Sequence, residues 1–99
     1  MINTKYERTT LMANQVEQPK LAGQELLANR INHYCTLLQM SYYELSYRST
    51  VPLTTLMHII KGSTRNPGIF TMIRICNGFG ITISEFFQAE EFTNIEFDA

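Results

Sequence analysis

Regular spacing of apolar residues begins after a polar opening stretch that ends near Pro19. We predict a flexible N-terminal arm over residues 1–20, where apolar positions are only scattered, with a marginal helix as the alternative. From Leu21 onward apolar residues recur at spacings of three and four, which is typical of an amphipathic helix that buries one stripe. The predicted stripe of this first helix consists of Leu26, Leu27, Arg30, Ile31, Tyr34, Leu37 and Leu38.

A sharp helix start follows at residues 41–44, which read SYYE and form a capping box. In such a box the Ser41 hydroxyl accepts from the Glu44 amide, and the Glu44 carboxylate accepts from the Ser41 amide. Met40 and Leu45 occupy the two positions of a hydrophobic staple around the same cap. The second helix is predicted to be short, because turn-forming residues interrupt the pattern within about two turns.

Two more helices are bounded by proline and glycine. Pro52 suits a first helical turn, and Gly62 suits the end of the third helix. Asn66-Pro67 and Gly80 bound a fourth helix in the same way. The predicted inward residues are Leu56, Ile59 and Ile60 in the third helix, and Ile69, Met72, Ile73, Cys76 and Phe79 in the fourth.

A second capping box, Thr82 with Glu85, predicts a fifth helix, and Ile81 with Phe86 forms its staple. Five short helices predict a compact all-α domain, since a chain of 99 residues has room for one core.

We place this domain at residues 21–88 and an acidic C-terminal tail at residues 89–99. The tail carries apolar Phe92, Ile95 and Phe97, and we expect it to be mobile unless these residues dock on the domain.

The second and third helices match a helix-turn-helix in length and spacing, with residues 42–48, a turn near 49–52, and residues 53–61. In that motif the second of the two helices enters the major groove of DNA.

The exposed face of the third helix has suitable chemistry for such a contact. Thr54, His58 and Lys61 share this face, and no acidic residue lies among them. Their groups can hydrogen-bond base edges or phosphates, and Leu53 or Met57 can lie against a thymine methyl. Partial burial or contact with a second copy of the chain explains these two apolar residues equally well.

Charge is distributed unevenly along the chain. The total is −1, which by itself argues against a polyanionic partner. Residues 29–74, however, contain five basic residues and one acidic residue, Glu44, for a net charge of +4. Residues 85–99 contain five acidic residues and no basic one, for a net charge of −5. The predicted helix-turn-helix therefore carries the positive charge that a DNA contact requires.

The sequence gives little indication of catalysis or metal binding. Cys35 and Cys76 are 41 positions apart in the sequence and show no metal-ligand spacing, so we expect neither a disulfide framework nor a zinc site. His33 and His58 lack an orienting acid, and we predict that the protein is not an enzyme and uses no cofactor. The opening residues lack the apolar core of a signal peptide, and no apolar run is long enough to span a membrane, so we expect a cytoplasmic protein.

From about Leu27 to Phe87 the chain resembles the XRE-type helix-turn-helix domain of phage repressors and Cro proteins, with its lambda-repressor-like fold. The matching segments are Arg30-Ile31, residues 41–45, Val51, Leu56 with Ile59, Gly62, residues 65–67, and residues 75–86. The chain departs from the family at four positions. Gln39 and Thr50 stand where glycine is usual, and Ile60 stands where an acid often pairs with a base such as Arg30. Leu53 stands where the family usually has a polar base-reading residue, frequently Gln, so the target sequence is left open.

The resemblance implies sequence-specific binding of double-stranded DNA and regulation of transcription, as a repressor that acts as a homodimer in a bacterial or phage setting. It implies phosphate binding at the amino end of the second helix, bracketed by two tyrosines. Carried over by position, the implied base contacts are Leu53, Thr54, Thr55 and His58. The implied backbone contacts are Ser41, Tyr42, Tyr43, Lys61, Ser63, Thr64 and Arg65. No inducer is indicated.

The main alternative is a protein-binding adaptor or antitoxin-like module that keeps this fold without strong DNA binding. The isoelectric point of about 6.1 favours it, since many DNA-binding domains are far more basic. Apolar Leu53 and Met57 on the third helix favour it as well.

Overall fold

The computed structural model describes residues 21–64 and 66–97. The predicted arm at residues 1–20, Arg65 and the last two residues of the tail lie outside the described residues. The helices are α1 (Gly23–Leu38), α2 (Tyr42–Ser49), α3 (Leu53–Ile60), α4 (Ile69–Phe79) and α5 (Ile83–Phe87). A 3-10 helix follows at Glu90–Thr93. The predicted all-α fold with a helix-turn-helix at its second and third helices is confirmed.

A short parallel pairing joins the two ends of this domain. Strand β1 (Leu21–Ala22) pairs with β2 (Ile95–Glu96), with Ala22 opposite Glu96. Each strand has two residues, and Ala22, Ile95 and Glu96 are not among the residues of the core. The pairing therefore fixes the last part of the chain beside the start of α1.

One hydrophobic core lies between the helices, with α2 packed mainly on α4 and α1 on α3. The predicted stripe of α3 is buried at Leu56 and Ile59 and half-buried at Ile60. The largest fully buried side chains are Leu26, Ile31, Leu45, Leu56, Ile59, Ile75, Cys76 and Phe86.

Two predicted inward stripes need correction. In α1 the last buried residue is Cys35, so Leu37 (63% exposed) and Leu38 lie beyond the part of the helix that the core covers. In α4 the first residue, Ile69, is exposed, and Ile75 is buried although the predicted stripe omitted it.

The start of α4 also differs from the prediction. Asn66-Pro67 does not open this helix, because Gly68 is the N-cap and provides no capping side chain. By contrast, the capping box of α5 is confirmed. The Thr82 hydroxyl accepts from the Glu85 amide at 3.0 Å, and the Thr82 amide donates to the Glu85 carboxylate at 3.0 Å.

Gln39 and Thr50 adopt left-handed backbone conformations, with φ of 53° and 58°. These are the two positions where the resembled family usually has glycine. A residue with a Cβ atom costs about 1 kcal/mol in this conformation. Local hydrogen bonds accompany it, since the Gln39 amide donates to the Thr36 carbonyl at 3.2 Å and the Thr50 hydroxyl donates to the Ser49 carbonyl.

Arg30 has partners other than an acid. Its Nε donates to the Phe86 carbonyl at 2.6 Å, and its Nη2 donates to the Glu85 carbonyl at 2.9 Å and to the Tyr34 hydroxyl at 3.3 Å. The guanidinium therefore caps the last turn of α5, where a positive charge is favourable. Arg30 therefore does not depend on an acid at position 60, since its Nε and Nη2 already have hydrogen-bond acceptors.

The described part of the tail is partly docked. The ring of Phe92 lies 5.0 Å from that of Phe87 and 6.4 Å from that of Phe86, and Phe92 is half-buried. Ile95 is half-buried beside β1, whereas Phe97 is exposed. Two of the three apolar residues on which the prediction of a mobile tail depends, Phe92 and Ile95, are therefore docked on the domain, and the third is not.

The tightest contact between α2 and α4 is at Gly78. A Cβ atom added there would lie 2.8 Å from the Ser49 Cβ and 3.0 Å from the Ser49 backbone nitrogen. We expect Gly78→Ala to lower the free energy of unfolding by about 1–3 kcal/mol, because backbone must move to relieve the overlap. Urea denaturation measures this. Gly23→Ala is the control, since its Cβ meets no atom within 4 Å, and an equal effect of both changes would contradict the prediction.

Candidate nucleic-acid interface

Hydrogen bonds of three hydroxyl groups, from the end of α2 and the turn itself, stabilise the turn between α2 and α3. The Ser46 hydroxyl donates to the Val51 carbonyl at 2.7 Å, and the Val51 amide donates to the Ser49 hydroxyl oxygen at 3.2 Å. The Thr50 hydroxyl donates to the Ser49 carbonyl at 2.5 Å. Ser49 is 3% exposed and Val51 is equally buried. These bonds fix the direction in which α3 leaves the turn.

The outer face of α3 projects away from the core. Thr54, Thr55 and His58 are exposed on it, and so is Lys61 at its C-cap. Leu53 is 39% exposed, whereas Met57 is half-buried. The four predicted base contacts therefore share one exposed surface, which we call the α3 face: Leu53, Thr54, Thr55 and His58.

The amino end of α2 carries half of the predicted capping box. The Ser41 hydroxyl accepts from the Glu44 amide at 3.0 Å. The Glu44 carboxylate does not return to the Ser41 amide; its Oε2 accepts from the Arg48 Nε at 3.0 Å. Arg48 lies one turn farther along the helix and competes for the same carboxylate. The one acid between residues 29 and 74 is thus ion-paired and only partly exposed.

The two tyrosines that follow Ser41 differ from each other. Tyr43 is 72% exposed and can reach a ligand at the helix end. Tyr42 is half-buried against the core, and its hydroxyl donates to the Asn32 Oδ1 of α1. The two tyrosines therefore do not flank a phosphate position symmetrically, because only Tyr43 is exposed. Sequence reasoning missed Asn32, because a polar residue in an amphipathic helix has no spacing signal of its own.

Backbone hydrogen bonds to the last carbonyls of α3 hold the loop that follows it, and the Gly62 amide donates to the Ile59 carbonyl at 3.1 Å. The Ser63 and Thr64 amides both donate to the His58 carbonyl, at 2.9 and 3.3 Å. Ser63 is exposed and Thr64 is half-buried. The loop thus turns directly beside Lys61, which brings three predicted backbone contacts to the carboxyl end of α3.

The cysteines belong to the core. Cys35 and Cys76 are free and buried, and burial raises the pKa of both thiols. A raised pKa lowers the thiolate fraction and therefore the reactivity of each thiol. In the described ranges, no three His, Cys, Asp or Glu residues are arranged to hold a metal ion.

The described helices include none that is both long enough and apolar enough to cross a membrane.

Comparison with solved structures identifies the fold. The restriction-modification controller protein C.Esp1396I superposes with a TM-score of 0.61 and 20% identity, over 72% of this chain and 90% of that protein. The chain has the fold of this controller protein. A point mutant of the same protein gives a TM-score of 0.60 and 23% identity, over 66% of this chain and 83% of the mutant. Models of protein families and curated protein sequences give no match.

The Ser41 cap yields a test of how α2 is started. We expect Ser41→Ala to lower the free energy of unfolding by about 1 kcal/mol, since the Glu44 amide loses its acceptor. Ser41→Asp should unfold at nearly the wild-type urea concentration, because aspartate caps helices as well as serine does. If alanine and aspartate destabilise equally, the observed hydrogen bond does not hold the start of α2.

Proposed function

We propose that this chain is a sequence-specific DNA-binding regulator of transcription, a repressor that places the α3 face in the major groove. The observation that carries the proposal is the closed turn, which holds an exposed and acid-free helix outward from the core. The fold shared with a restriction-modification controller protein supports a regulatory role. The free thiols fit action in a reducing bacterial or phage-infected cytoplasm.

The α3 face supplies the base contacts. The hydroxyls of Thr54 and Thr55 can donate to or accept from base edges, and His58 can donate to a guanine N7. Leu53 lies at the start of the helix and is suited to contact with a thymine methyl. No negative charge on this helix opposes its approach to the phosphates.

Backbone contacts surround this surface. Lys61, Ser63 and Thr64 flank the carboxyl end of α3, where Arg65 follows in sequence. At the other side Ser41 and Tyr43 lie at the amino end of α2, whose free amides favour a phosphate. Tyr42 is half-buried and contributes to the backbone contact indirectly, because its hydroxyl donates to the Asn32 side chain. Such contacts set the register on the duplex and are independent of sequence.

We further propose that the protein acts as a homodimer through an apolar groove between α1, α4, α5 and the tail. The groove encloses about 350 Å³, and its apolar walls include Leu27, Ile69, Met72, Phe87, Phe92 and Ile95. Exposed apolar surface of this kind is typical of protein contacts. A two-fold dimer would place its two α3 helices about 34 Å apart, one turn of DNA.

Ile69→Glu tests the dimer. Ile69 is the exposed first residue of α4, where a carboxylate suits the helix dipole, so the fold should persist. We expect sedimentation equilibrium to show monomers for this variant and dimers for the wild type. Phe70→Glu is the matched control, because Phe70 is exposed but does not line the groove. Dimers of unchanged stability in Ile69→Glu would contradict the proposed interface.

Selection of bound duplexes from random DNA tests whether the protein binds DNA sequence-specifically. Two variants then distinguish base contacts from backbone contacts. We expect His58→Ala to weaken binding to the selected duplex about tenfold or more, with little effect on random duplex. Lys61→Ala should weaken both equally, because a phosphate contact carries no sequence information.

His33→Ala is the control for the histidine change, since His33 is exposed on α1. Failure to enrich any sequence would contradict sequence-specific binding. Equal effects of His58→Ala on selected and random duplexes would remove α3 as the specificity element.

The structure adds one observation in favour of the alternative adaptor function. Tyr43 and Tyr47 lie one turn apart on α2 and are 72% and 79% exposed, and tyrosine is enriched in protein interfaces. A protein that captures its partner through these side chains would bind it without DNA. Loss of partner binding in Tyr47→Ser, with DNA binding retained, would show that both activities exist.

A further inference from the structure

A polar depression lies between α1 and the carboxyl end of α3, outside the α3 face. It encloses about 240 Å³, and its polar lining includes Gln24, Glu25, Asn29, Asn32 and Lys61. A water molecule occupies about 30 Å³, so the depression has room for a phosphate group. Three neutral amides and one ammonium group face this space, against one carboxylate.

The carboxylate is already engaged. The Glu25 Oε1 accepts from the Ala22 amide at 3.1 Å, at the amino end of α1. Lys61 is exposed, and no carboxylate among the described residues is ion-paired with it. The cation of the depression is therefore available to an anionic ligand.

Asn32 is set up as a hydrogen-bond donor. Its Oδ1 accepts from the Tyr42 hydroxyl, so the group that Asn32 has left for a ligand is its NH₂. Asn32 lines this depression and also the neighbouring one that contains Ser41 and Tyr42. It thus joins the amino end of α2 to the carboxyl end of α3 across the surface of α1.

Lys61 makes the depression continuous with the proposed DNA interface. The same residue is the C-cap of α3 and lines the depression, and Gly62 beside it lines the depression together with Gln24. A duplex in contact with the α3 face would continue past Lys61 toward α1. A ligand with regularly spaced negative charges is the partner that such a surface accommodates.

We infer that this depression binds a phosphate of the DNA backbone, with the Asn32 NH₂ and the Lys61 ammonium as donors. Tyr42 is a positioning residue that fixes the orientation of the Asn32 amide. The inference rests on the proposed function and extends the backbone contact onto α1. It also gives Tyr42 an indirect part in the backbone contact.

Asn32→Asp tests the donor. Aspartate keeps an oxygen that accepts from Tyr42, replaces the NH₂ and adds one negative charge. Random duplex DNA is a sufficient probe, because a phosphate contact is independent of sequence. By fluorescence anisotropy we expect about tenfold weaker binding at low salt. The slope of log affinity against log salt should be shallower by about 0.9, the value for one phosphate.

Asn77→Asp is the matched control, since Asn77 is exposed on α4 and lines neither depression. We expect it to keep the wild-type slope and to weaken binding about twofold, through long-range charge alone. Tyr42→Phe should lose about threefold in affinity with a slope between those of wild type and Asn32→Asp. Urea denaturation of each variant verifies that the fold persists.

The outcomes separate the two proposals. If the wild type binds duplex DNA and Asn32→Asp matches Asn77→Asp in affinity and slope, the depression does not hold a phosphate, and the proposed function stands. If the wild type binds no duplex at low salt, both proposals fail. Competition by inorganic phosphate beyond that of chloride at equal ionic strength would assign the depression to free phosphate instead.

Discussion

The position of α3 depends on the contact between Ser49 and Gly78. The Ser49 hydroxyl holds the turn through the Val51 amide, while its Cβ lies so close to α4 that only glycine fits opposite. One buried side chain therefore fixes both the turn and the distance between α2 and α4. Because α2 is seated on α4 in this way, α3 leaves the turn with its apolar stripe on the core and its polar face outward.

Contacts of α1, α5 and the tail stabilise the rest of the domain around these helices. Arg30 of α1 binds the last carbonyls of α5, and Phe92 covers the rings of Phe86 and Phe87. The pairing of β1 with β2 holds the acidic tail beside the start of α1. Packing thereby holds the described acidic residues of the tail, Glu90, Glu91 and Glu96, on one part of the fold. The small total charge of −1 therefore does not measure how strongly the α3 face attracts phosphate.

Local signals predicted much of this fold from the sequence. The box of Thr82 and Glu85 and the inward stripe of α3 depend on residues within one or two turns, so spacing alone revealed them. The errors came from competition between local partners and between neighbouring helix starts, which spacing alone does not resolve. Glu44 binds Arg48 rather than its own cap, and α4 begins after Gly68 rather than at Asn66-Pro67. The bond from Tyr42 to Asn32 joins two helices, and no pattern within either helix predicts it.

The most direct measurement is equilibrium binding of the wild-type chain to random duplex DNA across a range of salt concentrations. Contact with about four phosphates per protomer predicts a slope of log affinity against log salt near −3.6, and about twice that for a dimer. Such a slope requires that the positive surface around α3 meets the DNA backbone. Absence of binding at the lowest salt, or an affinity that salt does not change, would contradict the proposed function and favour a protein-binding module on the same fold.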